Sequence, residues 1–504
     1  METSCLACGK TFWPAWSSRV KRPEIMQVLR DGLASIPQDV SHVVGRPPSL
    51  DEIFAPSRHS MAIDPDLPIV VGARGTGKSF WASVFTDDST RLQIAPAFPR
   101  LRLGDVVARA GFVDQAIDKA ISRKTLDQLL ADKPERVETI WLLVALRAAE
   151  DVLDEETFSS YADGLDVYSN NEVLELRLRE VDDKLALSHR RLVVVFDALD
   201  RLSSSWDDMR LRTSSLLETL LSLRAYRSIR FKLFMRPEQL SSVPSSFTDL
   251  SKLRAGAFDL RWTSLDLFGL AFSNLLRSPD TKEAFIALLD GLRMGSVEEA
   301  LNRIQLPPAV LRSPESQERI FVALAGKYMG SDARRGRTYT WLPKHLSDTK
   351  GRLTPRSFLL ALGAAARHER MPSPEHALTI EGIKHGVVEA SVLRVNQLKD
   401  EYGWIDLALQ PLAGQEVPCE GMAIYQRWFD AGTLENINAQ AHQIGYLPPF
   451  AGDYSDRASV TDLLIAMMDI GIIELRPDQR VNIPDLFRIA ALMLRRGGPA
   501  PLPQ

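Results

Sequence analysis

The stretch from Leu67 to Phe85, LPIVVGARGTGKSFWASVF, constrains the fold of this chain more than any other. A short apolar run over Pro68–Val71 leads into Gly72-Ala73-Arg74-Gly75-Thr76-Gly77-Lys78-Ser79, and the residues that follow have helical spacing. This is the full G-x-x-x-x-G-K-[ST] pattern in a strand–loop–helix context. Gly72, Gly75 and Gly77 let backbone N–H groups curl around phosphate oxygens in conformations that a Cβ forbids. The helix opening near Lys78 directs its positive end at the same anion. The Lys78 ammonium can reach β- and γ-phosphates, and the Ser79 hydroxyl can ligate Mg²⁺. With strand and helix both in place, the motif implies a nucleoside triphosphate held with Mg²⁺ by residues 72–79, rather than a chance glycine-rich turn.

Composition sets the surroundings of that loop. At 504 residues the chain has room for roughly three domains, each with its own core. A formal net charge of −4 argues against a surface coated in phosphate-binding side chains, although a local basic face remains open. The three cysteines, Cys5, Cys8 and Cys419, make no disulfide framework, so a reducing cytoplasm is the expected compartment. The first residues lack the apolar core of a signal peptide. The apolar stretches near Leu192–Phe196 and Leu463–Ile473 are too short to span a bilayer, and no membrane is expected. Cys5-Leu6-Ala7-Cys8 has the spacing of half a zinc knuckle, but no second pair stands nearby, and His42 and His59 are isolated. A four-ligand site needs four ligands, so these cysteines read as incidental.

The second diagnostic stretch is Leu192-Val193-Val194-Val195-Phe196-Asp197-Ala198-Leu199-Asp200-Arg201. Five consecutive apolar residues read as a strand buried on both faces, as in a parallel sheet. Asp197 at its carboxyl end stands where a Walker-B aspartate holds Mg²⁺; the competing reading is a turn residue that caps the strand. Asp200 is the candidate to orient or deprotonate an attacking water, with Arg201 beside it where many active ATPases carry an acid. Ile229–Met235 is a further strand, closed by Arg236-Pro237-Glu238. Arg236 fits a γ-phosphate sensor, or else a loop arginine capping a carboxylate. Thr90–Ile94 is expected as the second strand and Ala257–Trp262 as the last, with a lead-in over Ser49–Phe54 packing on this domain. Between about residues 105 and 190 the apolar spacing is helical, as in Glu135–Leu153 and Glu172–Leu187, and implies a helical insertion.

In that order, GARGTGKS, VVVFDALDRL, FKLFMRPEQL and FDLRWTSLDLFGLAF resemble the STAND group of P-loop ATPases, within the wider AAA+-like division, over roughly residues 45–275. The resemblance implies that Lys78 and Ser79 contact phosphate and Mg²⁺, that Asp197 and Asp200 are the Walker-B acids, and that Arg236 is the sensor. It also implies ATP as the nucleotide, a site completed by a neighbouring copy in a homo-oligomer, and a role as a signalling or defence switch, including against phage. Arg201 departs from the group, which usually has Glu there, and this bears on hydrolysis more than on binding.

Beyond the resemblance the chain is helical with proline-marked breaks, as at Leu306-Pro307-Pro308. The Gly- and Arg-rich region Tyr328–Thr340 reads as a solvated loop. Thr354-Pro355 opens a helix to about Arg367, with Thr354 as cap and Pro355 in the first turn. Arg356 then stands where AAA+ proteins carry a second sensor arginine, or makes a surface ion pair. Ser459–Gly471 reads as a helix, Ile472–Ile483 as two short strands and Pro484–Arg496 as a second helix. Together with Ile424–Trp428 this is winged-helix-like. A DNA reader wants a basic recognition helix; Asp462 and Asp469 make this one acidic, so docking to a protein partner is favoured over DNA.

The expected fold is α/β, a P-loop NTPase parallel sheet with helical insertion, followed by a helical region and a winged-helix-like C-terminal domain. The expected divisions are a lead-in (1–60), a nucleotide domain (61–275), a helical domain (276–415), the winged-helix-like domain (416–496) and a flexible tail (497–504). The expected function is an ATP-binding and ATP-hydrolysing switch acting on a protein effector, with ATP and Mg²⁺ as cofactors. A DNA-loading ATPase and a non-hydrolysing nucleotide-binding scaffold are the alternatives.

Overall fold

The computed structural model describes residues 22–36, 46–113, 119–203, 206–241, 243, 249–300, 303–368, 373–444, 446, 448–449, 457–496 and 499. Cys5, Cys8, His42 and nearly all of the tail lie outside these residues. Six strands form one sheet: β1 (Ile69–Val71), β2 (Val106–Val113), β3 (Ile121–Ser122), β4 (Arg191–Phe196), β5 (Ile229–Met235) and β6 (Phe258–Asp259). Their order is β3-β2-β4-β5-β1-β6, and every pairing is parallel. The apolar runs of β1, β4 and β5 follow from helices on both faces. Val194, Phe196, Phe231 and Leu233 pack against helices Val137–Leu153, Asn171–Leu187 and Trp206–Ser222. Val70, Val193, Val195 and Phe234 face the helix Lys78–Thr86, together with Ile53, Ala62 and Ile63 of the lead-in.

Two expected elements differ. Residues Asp88–Ile94 are helix, because the Asp87 carboxylate caps the Thr90 N–H at 2.7 Å and buried Arg91 donates to the carbonyls of Phe85 (2.9 Å) and Val106 (2.7 Å). The strand expected there is β2 instead, inside the segment expected to be helical. Pro484–Arg496 is helical only over Asp485–Arg488. Beyond it the chain turns back, and the buried Arg488 guanidinium bonds the carbonyls of Met493 (2.8 Å) and Pro499 (2.7 Å). An antiparallel hairpin, Glu298–Ala300 with Arg303–Gln305, also interrupts the helical region.

A third core holds the helical region. The helix Arg22–Ala34 packs there, with Ile25, Met26, Leu29 and Leu33 beside Phe285 and Phe358. The same core runs on through Trp404, Leu412, Trp428, Met467, Phe487 and Met493 into the C-terminal segment. Among the described residues that segment holds the helices Gly421–Asp430, Thr433–Ile444 and Arg457–Asp469, a hairpin, Glu474–Leu475 with Val481–Asn482, and the short helix Asp485–Arg488. Val481 also pairs with Cys419, through N–H···O bonds of 2.7 and 3.0 Å. Among the described residues no helix is long and apolar enough to cross a membrane.

One buried cation breaks the apolar pattern of β5. Lys232 is 0 % exposed, and its ammonium donates to the carbonyls of Asp64 (2.9 Å) and Leu67 (2.7 Å). Burial pulls its pKa down to about 7, against the attraction of Asp64 and Asp66. The unfolded chain therefore holds this proton, and the folded chain does not, between about pH 7 and the ordinary lysine value near 10.4. Lys232 contributes a stability that rises with pH across that window, with a slope of at most about 1.4 kcal/mol per pH unit. Denaturant titrations at pH 7, 8 and 9 should show this slope in the parent protein and a shallower one in Lys232→Met, where Lys78, lowered to about 8, still contributes in the same direction.

Candidate functional site

In open α/β sheets ligands bind beyond the carboxyl ends of the strands, at a point where the connections diverge. Here that point is the loop leaving β1, which runs between β5 and β6. The Gly72 N–H donates to the Met235 carbonyl at 3.0 Å and ties the loop to β5. Gly75 (φ 81°) and Gly77 (φ 98°) occupy the left-handed region, where a side chain would be strained. A Cβ on Gly72 would meet the Thr76 hydroxyl at 2.5 Å, so the cradle has no room for one. The Thr76 hydroxyl donates to the Ala73 carbonyl at 2.7 Å, and the Trp262 indole N–H braces the Thr76 carbonyl at 2.8 Å. The Lys78 ammonium donates to the carbonyls of Gly72 (2.7 Å) and Ala73 (3.2 Å). Burial in this loop and the nearby Arg236 lower its pKa to about 8, against Asp197, Asp200 and Glu238.

Asp197, at the end of β4 and 5 % exposed, accepts hydrogen bonds from the Ser79 hydroxyl and the Ala198 N–H. Burial raises its pKa, and those two donors and Lys78 oppose the rise. Ala198 turns the chain through the left-handed region at φ 54°. Ser79 and Asp197 therefore set two side-chain oxygens side by side at the mouth of the loop. Among the described residues no cluster of three or more His, Cys, Asp or Glu could hold a metal. A Ser–Asp pair suits Mg²⁺, which takes one or two protein oxygens and fills its octahedron with phosphate and water.

The arginine that follows β5 closes the other side. Arg236, 11 % exposed, donates to Asp200 at 2.6 Å and forms an ion pair with Glu401. Arg74 of the loop pairs with the same Glu401 at 3.5 Å and donates to the Gln397 carbonyl at 3.1 Å. Tyr402 donates to Glu238 at 2.8 Å. Gln397 and Glu401 lie on the helix Ile380–Glu401, outside the sheet. Thr354 caps the helix Pro355–Arg367 and stands 3.5 Å from where a Cβ on Gly75 would be. Arg356, in that helix's first turn, is half-buried. The fold thus gathers Gly72–Ser79, Asp197, Asp200 and Arg236 around one loop and sets the start of the Arg356 helix across from Gly75. Trp262, Arg394, Gln397 and Glu401 escaped the sequence reading. Trp262 lies in a short expected strand, and no local pattern ties residues 394–401 to a loop more than 300 positions earlier.

The loop, the strand order and the buried acid ending β4 define a P-loop NTPase fold. No protein-family model and no curated protein matches the sequence. Among solved structures the chain is similar to the ORC2 protein of Aeropyrum pernix in its ADPNP–ADP complexes, at 14 % identity over 90 % of this chain and 95 % of that one, TM-score 0.40. It is also similar to the Walker-type ATPase PABY2304 of Pyrococcus abyssi (11 %, 90 % and 99 %, TM-score 0.37). A third is Cdc6p of Pyrobaculum aerophilum (12 %, 95 % and 94 %, TM-score 0.26).

Proposed function

We propose that this chain is an Mg²⁺-dependent ATPase that works as a switch on a protein effector. The observation that carries the reading is the convergence of Lys78, Ser79, Asp197 and Arg236 on one glycine cradle. The loop N–H groups hold phosphate oxygens, and the Lys78 ammonium exchanges its two loop carbonyls for them. Ser79 and Asp197 hold Mg²⁺, which when bound offsets charge on the β- and γ-phosphates. Asp200 orients the attacking water, Arg236 reads the γ-phosphate, and Arg356 approaches it from the facing helix. Residues 61–275 form the nucleotide domain, 276–415 the helical domain and 416–496 a winged-helix-like docking module. Within the chain, the module's third helix is seated on the helical domain: Lys350 donates to the Asp469 carbonyl at 2.5 Å and the Thr349 N–H to the Gly471 carbonyl at 3.1 Å. A homo-oligomer and a place in signalling or anti-phage defence rest on the sequence resemblance.

The test is ATP turnover by the full chain, with and without Mg²⁺ and duplex DNA, beside Asp200→Asn. Turnover should require Mg²⁺ and fall roughly 10²-fold or more in the variant, with ATP binding retained. Binding without turnover in either protein would instead favour the scaffold reading, and stimulation by DNA would favour the loading reading.

A further inference from the structure

We propose that Glu401 limits the preference of this site for nucleoside triphosphate over diphosphate, by occupying the two arginines that a γ-phosphate must take over. The proposal rests on the reading of the Lys78 loop as a nucleotide site. One carboxylate, 5 % exposed, serves two guanidiniums from different parts of the sheet domain: Arg74 in the loop and Arg236 after β5. Carboxylate and phosphate are alternative partners for the same planar donor fork. The surroundings favour an anion of higher charge. Buried Arg394 lies on the same helix as Glu401, and its Nη1 makes no hydrogen bond among the described residues. Its pKa is lowered to about 10, chiefly by burial, with Arg74 and Arg236 near enough to lower it further.

A diphosphate ends at the glycine loop and Lys78 and leaves Glu401 its partners. A triphosphate extends toward Arg236, and its γ-phosphate then competes with Glu401 and repels it. That differential contact is what lets a ligand shift a conformational equilibrium. Glu401 is the last residue of the 22-residue helix Ile380–Glu401, which leads through Tyr402 and Trp404 into the core shared with the C-terminal segment. Its release therefore frees the start of that path.

The experiment titrates full-length protein with a non-hydrolysable ATP analogue and with ADP, both with Mg²⁺, for the parent chain and Glu401→Gln. Removing the competitor should tighten the analogue about tenfold and leave ADP within about twofold. Equal changes for the two nucleotides, or weaker analogue binding in Glu401→Gln, would overturn the proposal while leaving the nucleotide site intact. A parent chain that binds neither nucleotide would remove the underlying reading, and the proposal with it. Hydrogen exchange of the parent chain needs no variant: amides of residues 395–404 should exchange faster with the analogue than with ADP, and equal rates would count against Glu401.

Discussion

Replacing Lys78 with alanine is expected to lower affinity for ATP·Mg²⁺ by about two orders of magnitude, read by calorimetry or a fluorescent nucleotide. The ammonium is the only side-chain cation that bonds the loop from within, at 2.7 Å from the Gly72 carbonyl and 3.2 Å from that of Ala73 among the described residues. In the complex those bonds become charge-assisted bonds to phosphate, each worth about 1.5–3 kcal/mol. The fold should survive, because the two carbonyls at the cradle mouth can turn to water. A pH signature separates this role from a structural one. The pKa lies near 8, so the free protein carries the charge at pH 7 and loses it above that value. Affinity should therefore fall as pH rises from about 7.5 to 9 in the parent protein. The Lys78→Ala protein should lack this dependence.

The largest stability loss is expected at Asp182, far from the loop. Its carboxylate, 4 % exposed on the helix Asn171–Leu187, accepts the backbone N–H groups of Arg227 (2.8 Å), Ser228 (2.7 Å) and Ile229 (3.1 Å). Those residues turn the chain into β5, and thus set where Arg236 emerges. Asp182→Ala leaves three donors without their acceptor, and two of these bonds are buried; the expected cost is about 3–5 kcal/mol. The midpoint of denaturant unfolding, followed by far-ultraviolet circular dichroism, measures it. Asp182→Asn keeps one acceptor oxygen, the one that serves Ser228 and Ile229, and should recover part of the loss. If Asp182→Ala moved the midpoint by no more than a surface substitution does, the clamp would have no energetic role.

What the sequence disclosed was what local chemistry dictates. The loop was legible because its glycines, lysine and serine are fixed by backbone geometry within eight positions. β4 and β5 were legible because a strand buried on both faces is mostly apolar, and Asp197 and Arg236 could be placed at the strand ends because each directly follows such a run. β2 was not, since Val106-Val107-Ala108-Arg109-Ala110-Gly111 mixes residues that suit a helix as well as a strand. Only pairing with β4, register Val107 to Leu192, decides it. Residues 90–94 went the other way: a single cap at Asp87 outweighed an apolar pattern too short to have a period. The carboxylate at position 401 has no local signal, because its meaning comes from arginines at 74 and 236 that tertiary structure alone brings to it.

The continuous core that joins the helical region to the C-terminal helices also bears on how this chain can be cut and how it can change over generations. His345 meets Asp485 across that boundary, and the Ala490 N–H donates to the Ser391 hydroxyl at 3.0 Å. Residues 416–496 are therefore no detachable cartridge. A fragment cut at their border would bare Trp428, Met467 and Phe487 to water, and its stickiness would mimic recognition. A replacement module grafted there would have to arrive with its matching surface on helices Thr338–Leu346 and Ile380–Glu401. Diversification of what the chain contacts is thereby directed away from the seam, toward outward positions such as Met422 and Phe429 on the helix Gly421–Asp430, which are 69 % and 79 % exposed.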